Sequence, residues 1–171
     1  EHKLLSEIWL EFMGTGGRTT VSYDVPAEGA KGPVPNTWES LPIGEAIVRR
    51  SGNDLTMISL GVSVHRAQEV ADILEKDGIT VEVMDLRTVS PLDKKAICNA
   101  VSKTGHLLVI DEDYEAFGLS GEISAVVLEA GITCKYARVC TQTTIPYAQS
   151  KENQVLPNVE RIMKAARDLL S

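Results

Sequence analysis

At 171 residues, with 43% hydrophobic and 24% charged residues, the chain has the composition of a soluble globular protein and the length of one domain with a single sizeable core. A net charge of −7 and a pI of about 5.0 argue against a nucleic-acid surface, because phosphate binding draws on clustered Lys and Arg. No apolar run approaches the ~20 residues of a membrane span, and no charged, apolar, small-residue series at the start resembles a secretory signal; the expected compartment is the cytoplasm, or the mitochondrial matrix in a eukaryote.

Leu4, Leu5, Ile8, Trp9 and Phe12 recur at helical spacing and predict a short amphipathic helix or docking segment. From Met13 to Ser40 the Gly and Pro residues, among them Gly16, Gly17, Pro26, Pro33 and Pro35, read as a turn-rich linker. A linker of that length is unusual inside a compact domain. The domain boundary is therefore expected near Leu41, with residues 1–40 outside the folded unit and residues 41–171 forming it.

Beyond Leu41, β-rich runs alternate with helical ones. Strands are expected near Ala46–Arg49, Leu55–Leu60, Thr80–Asp85, His106–Ile110 and Lys135–Cys140, with helices in the gaps. Val64, Ala67, Val70, Ala71 and Leu74 share one helical face ending before Gly78, and Val159, Ile162, Met163, Ala166 and Leu170 share another. This alternation predicts a mainly parallel sheet with helices on both faces, so ligand sites are expected outside the carboxyl ends of the strands: Gly61–His65, Asp85–Ser90, Asp111–Phe117 and Thr141–Tyr147. The Val81–Asp93 run, V-E-V-M-D-L-R-T-V-S-P-L-D, reads as a strand–loop–helix joint, with Ser90 as cap and Pro91 in the first turn.

The chemistry-bearing residues mostly have plain structural readings. Gly118-Leu119-Ser120-Gly121-Glu122 lacks the last glycine of a nucleophile elbow, and Ser120 reads as a helix cap. Asp111, Glu112, Asp113 and Glu115 read as a solvated acidic loop, since a calcium loop needs a defined ligand series and a sharp-turn glycine. His2, His65 and His106 have no zinc-like spacing. The three cysteines, Cys98, Cys134 and Cys140, form no C-x-x-C pair and read as small buried or half-buried side chains. One glycine after the second strand is too few for a dinucleotide fingerprint, and no G-K-[ST] occurs. No catalytic, cofactor-binding or metal residue is expected in this chain.

The D-L-R-T-x-x-P-L-D element resembles the signature of the C-terminal domain of transketolase-like thiamine diphosphate enzymes. L-P-I-G-E-A at Leu41–Ala46, K-T-G-H-L-L-V at Lys103–Val109, F-G-L-S-G-E-I at Phe117–Ile123, I-P-Y-A at Ile145–Ala148 and L-P-N-V-E-R-I at Leu156–Ile162 follow in that family's order. They are most similar to the beta subunit of 2-oxo acid dehydrogenase decarboxylases. The resemblance implies a three-layer α/β/α fold with a five-stranded, mostly parallel mixed sheet whose first strand is antiparallel. It also implies that Glu1 to Leu5 closes a preceding pyrimidine-binding domain, making the chain a fragment.

In such enzymes thiamine diphosphate and Mg lie between subunits and are held by elements not visible here; there is no G-D-G signature. The resemblance therefore implies an isolated domain that is inactive and binds no cofactor alone. It implies three partners: the alpha subunit, a symmetry mate of the same domain, and the subunit-binding domain of the acyltransferase core. Candidate contacts are Glu112 and Phe117 after the fourth strand, Tyr147, Glu152 and Asn153 in the stretch Tyr147–Asn153, and Ser171. Glu112 matches a family glutamate expected to hold neighbouring backbone donors. Two departures stand out: Ala116-Phe117-Gly118 where the family often has two adjacent glycines, and Asn153 where an acidic residue can follow Glu152. Two other functions fit the same fold, a free-standing protein-binding module and the C-terminal domain of a transketolase or deoxyxylulose phosphate synthase. The acidic crevice loops suit sugar phosphates poorly. The identity of the 2-oxo acid is not encoded in these residues.

Overall fold

Residues 42–171 are described by a computed structural model, and the chain divides into units at Thr37/Trp38; the amphipathic run Leu4–Phe12, the turn-rich linker and the expected boundary at Leu41 lie outside the described residues. The strands are β1 (Ile47–Arg50), β2 (Leu55–Ser59), β3 (Val81–Asp85), β4 (His106–Tyr114) and β5 (Lys135–Thr141). The helices are α1 (Val62–Lys76), α2 (Lys94–Thr104), α3 (Leu119–Glu129), α4 (Gln149–Val155) and α5 (Val159–Leu170). The sheet order is β1-β3-β2-β4-β5. β1 runs antiparallel to β3, while β2, β3, β4 and β5 are mutually parallel. This is the mixed five-stranded sheet expected.

Every residue of β2 and β3 is buried, as parallel strands covered on both faces require. The period of two divides them cleanly. Leu55, Met57, Val81, Val83, Leu108 and Ile110 meet α1 and α5 through Val64, Ala67, Leu74, Ile162 and Ala166. Ile58, Met84, Leu107 and Val109 meet α2 and α3 through Ile97, Val101, Ile123 and Val127. The three α/β/α layers follow from that split. Close approach fixes one corner: a Cβ on Gly52 would lie 2.2 Å from the Val81 carbonyl carbon, so no larger residue fits where the chain crosses into β2.

Two caps differ from expectation. The helix after β3 starts at Lys94, and its cap is Asp93, whose Oδ1 accepts from Ala96 N at 3.0 Å; Ser90, in a cis bond to Pro91, lies outside the helix. Asp93 wins because its second oxygen also accepts from Ala46 N at 3.0 Å, a tertiary bond that no local pattern announces. Likewise α3 is preceded by Gly118, with no side-chain cap, and Ser120 is the second helical residue. It is fully buried and receives the Arg138 guanidinium at 3.4 Å. The closing helix α5 starts as the L-P-N-V-E-R-I run suggests, with Asn158 Oδ1 accepting from Arg161 N at 2.8 Å.

Candidate functional site

The four parallel strands end along one edge of the sheet, and their exits are cross-tied. Ser59 Oγ donates to the Ile110 carbonyl at 2.8 Å, and Leu86 N donates to the Ser59 carbonyl at 2.9 Å. β4 continues past the expected end at Ile110 to Tyr114, across a register shift against β5 that re-pairs Tyr114 with Thr141. Thr141 Oγ1 donates to the Glu112 carbonyl at 2.6 Å. The acidic run is therefore partly strand, because β5 supplies acceptors and donors that a solvated loop would lack.

The four carboxylates of that run have different environments. Glu112 Oε1 accepts from Arg66 Nη1 of α1 at 2.6 Å, so its side chain holds a guanidinium and not backbone donors. The backbone-holding role falls to Asp111, whose Oδ1 accepts from Asp113 N at 3.1 Å. Asp111 is 7% exposed, and burial pushes its carboxyl above the usual range against the lowering effect of that backbone bond. Glu115 receives Arg138 on its side chain at 3.4 Å and on its carbonyl at 2.8 Å, and Gln142 on its other oxygen at 2.9 Å. Asp113 is exposed and accepts only from Tyr114 N, at 2.7 Å, with no cation paired to it among the described residues.

At the exit of β3, Asp85 is buried and engaged by Arg49 at 2.9 and 3.2 Å; its other oxygen accepts from Arg87 N at 3.0 Å. Arg87 adopts a φ of 56°, uncommon for a residue with a side chain. Its Nε is buried without a hydrogen-bond partner. Such an orphaned donor costs ~1–3 kcal/mol, so this arginine is the outlier of the edge, and its sequence position at a strand end gave no signal of it.

The candidate contact residues are spread out. Phe117, at φ 65°, and Tyr147 are fully exposed, and Tyr114, Val89 and Val62 are each about half exposed. Gly118 closes the Phe117 turn: a Cβ there would lie 2.2 Å from the Tyr114 carbonyl oxygen. Glu152 and Asn153 lie on α4, a short helix that no apolar periodicity announces. The Asn153 carbonyl accepts from Asn158 Nδ2 at 2.6 Å, and Arg161 bridges the Val155 and Cys140 carbonyls at 2.6 and 2.9 Å. Ser171 Oγ caps the last turn through the Asp168 carbonyl at 2.8 Å. The structure thus places Glu112 and Phe117 at the carboxyl edge, and Glu152, Asn153 and Ser171 on the two closing helices.

Among the described residues no three His, Cys, Asp or Glu side chains are placed to share a metal ion. The cysteines are free, and burial raises the thiols of Cys134 and Cys140 above their ordinary value, which keeps them protonated at neutral pH. No helix among the described residues is long and apolar enough to cross a membrane.

The family described as "Transketolase, C-terminal domain" matches residues 44–162. The chain belongs to the transketolase C-terminal domain family. It is 40% identical over 144 residues to the 2-oxoisovalerate dehydrogenase subunit beta of Bacillus subtilis, covering 81% of this chain and 44% of that protein. Over 147 residues it is 38% identical to the acetoin:2,6-dichlorophenolindophenol oxidoreductase subunit beta of Cupriavidus necator, covering 81% of this chain and 42% of that protein. The pyruvate dehydrogenase E1 component subunit beta of Bacillus subtilis is 38% identical over 141 residues, 80% of this chain and 43% of that protein. The chain thus spans less than half the length of these relatives. A solved split-gene transketolase, an inactive beta4 tetramer, superposes with a TM-score of 0.71 at 22% identity, covering 80% of this chain and 46% of that one. That agreement establishes the fold of the transketolase C-terminal domain.

Proposed function

We propose that this chain is the C-terminal assembly domain of the beta subunit of a thiamine diphosphate-dependent 2-oxo acid or acetoin dehydrogenase. It supports oxidative decarboxylation and acyl transfer to lipoamide by pairing with a second copy of itself, holding an alpha subunit, and docking the subunit-binding domain of the acyltransferase core. The observation that carries this reading is the 38–40% identity to beta subunits of three such oxidoreductases, sustained over four fifths of the chain. A cytoplasmic or mitochondrial-matrix location accords with it, and one relative, from Dictyostelium discoideum, is named as mitochondrial.

The donor set of the carboxyl edge does not fit the diphosphate of the cofactor. Asp85, Asp111, Glu112, Asp113 and Glu115 line the exits of β3 and β4, and Arg49, Arg66 and Arg138 are already paired with carboxylates; Arg87, whose buried Nε has no partner, is one cation against that excess of carboxylates, so a diphosphate would meet net negative charge there. Thiamine diphosphate and Mg belong in the full assembly, where the cofactor supplies the carbanion chemistry, and this chain contributes association and orientation.

Calorimetric titration tests the assignment. The chain alone is expected to give no heat with thiamine diphosphate and Mg, and to bind the acyltransferase subunit-binding domain from the same source. Stoichiometric cofactor binding by the chain alone, or no binding of that domain, would sink the reading.

A further inference from the structure

Among the described residues two buried side-chain atoms lack a hydrogen-bond partner, Ser63 Oγ and Arg87 Nε, and both follow the carboxyl ends of neighbouring strands. β2 and β3 pair in parallel with Ser59 beside Asp85, and Leu86 N donates to the Ser59 carbonyl at 2.9 Å, so the chain leaves the sheet at two points about 4.8 Å apart. Ser63 is the second residue of α1 and is 1% exposed. It shares the buried helix face of Ala67, Val70 and Leu74, which packs on β2 and β3. Side chains of a helix tilt back toward its N-terminus, so the Ser63 hydroxyl leans out of the first turn toward the strand exits.

That first turn is open to an anion. The Val62 and Ser63 N–H groups donate to no described residue, Gly61 supplies no capping side chain, and no acidic residue stands in the turn. A Cβ on Gly61 would meet nothing within 4 Å, so there is space beside those N–H groups, and their dipoles favour negative charge there. The Arg87 guanidinium donates to nothing described; its backbone N–H alone is engaged, on Asp85. The loop that carries it is stapled, because Thr88 Oγ1 accepts from Gly44 N and donates to the Pro91 carbonyl, both at 3.1 Å. Neighbouring carboxylates are already matched: Asp85 holds Arg49, and Glu112, on the β4 side, holds Arg66 of α1. The balance left between β3 and α1 is one unmatched guanidinium and one helix N-terminus. A single negative charge fits it, whereas the several charges of a diphosphate would reach over the acidic run of β4.

We propose that the crevice between the β3 exit and the first turn of α1 binds one carboxylate group. One oxygen accepts from the Arg87 guanidinium, whose planar fork suits a carboxylate, and the other from the Ser63 hydroxyl and the first-turn N–H groups, so the two orphaned donors share a ligand. A free monocarboxylic acid and an acidic side chain of a partner present the same group. The inference stands on these residues alone and does not depend on the proposed function.

Titration of the full, 15N-labelled chain with sodium acetate at constant ionic strength, followed by NMR, decides the matter. The Arg87 Nε–H signal and the Val62 and Ser63 amide signals are expected to shift together along one saturating curve. Arg87→Met should weaken that binding at least about tenfold and Ser63→Ala about fivefold, as loss of hydrogen bonds to a charged group implies. Both variants should keep the acetate-free thermal midpoint, since neither side chain bonds to a described residue. A glutamate blocked at both termini separates the two sources: saturation by acetate alone assigns the site to a free acid, and saturation by both admits a partner's side chain. Shifts that fail to saturate, shifts at Arg87 without the Val62 and Ser63 amides, or binding unchanged in Arg87→Met would overturn the inference.

Discussion

Asp111 shows how one side chain at the sheet edge holds structure at the expense of stability. Its carboxylate fixes the backbone of Asp113, yet burial raises its pKa in the fold above the 3.8 of a free aspartate. A group whose folded pKa is raised binds more protons when folded than when unfolded, so the fold loses stability as pH climbs from about that free value through the raised one. Asp111→Asn keeps an acceptor for the Asp113 N–H and removes the charge. The variant is expected to melt above the wild type at pH 7, with the gap shrinking as pH falls toward the free aspartate value of 3.8, followed by circular dichroism. A lower midpoint at neutral pH would mean that the carboxylate, not its burial, dominates there. Ser120 and Arg87 teach the same point at this scale: each has an unremarkable sequence setting, and only the groups that surround it, or fail to, reveal its role.

Elements were legible where the physics is local or repetitive. β2 and β3 stand out as short runs rich in apolar and β-branched residues, L-T-M-I-S and V-E-V-M-D, although Thr56, Ser59, Glu82 and Asp85 are buried with the rest, and α1 and α5 stand out because one face of each is apolar at helical spacing. The extension of β4 to Tyr114 was not legible, since D-E-D-Y is stabilised as strand only by β5 across a bulge. The site was legible as a place, the carboxyl edge, but not as a set of partners. The cap of α2 is hidden for a related reason: Ser90 and Asp93 are both capping residue types, and the bond from Ala46 N to Asp93 Oδ2 decides between them. Asp93 therefore secures two elements at once, the first turn of α2 and the chain entering β1. Asp93→Ala is expected to destabilise the fold by about 2 kcal/mol, the upper range for loss of a cap, in urea denaturation. Ser90→Ala should shift it by less than about 0.5 kcal/mol, as at a surface site without a special role.

At the scale of the whole molecule, the net charge of −7 acts oppositely on the two associations proposed. Two copies repel each other at long range, and that repulsion is screened once separations exceed a Debye length of ~8 Å at physiological salt. The contacts that hold two copies together act at short range, out of water, and are screened much less. Added salt should therefore leave the dimer constant or tighten it. Docking of a basic subunit-binding domain has no repulsion to relieve: its steering depends on the same excess negative charge, so salt weakens it. Raising sodium chloride from low to about 0.5 M, beyond which the Debye length falls toward ~3 Å, is expected to weaken docking about tenfold in calorimetry. Ultracentrifugation of the same samples should show no loss of dimer. A fall in both affinities would mean that the dimer is held by exposed charge pairs and not by contacts out of water, and a docking affinity indifferent to salt would mean that apolar contacts such as Tyr147, not the acidic balance of the chain, recruit the partner.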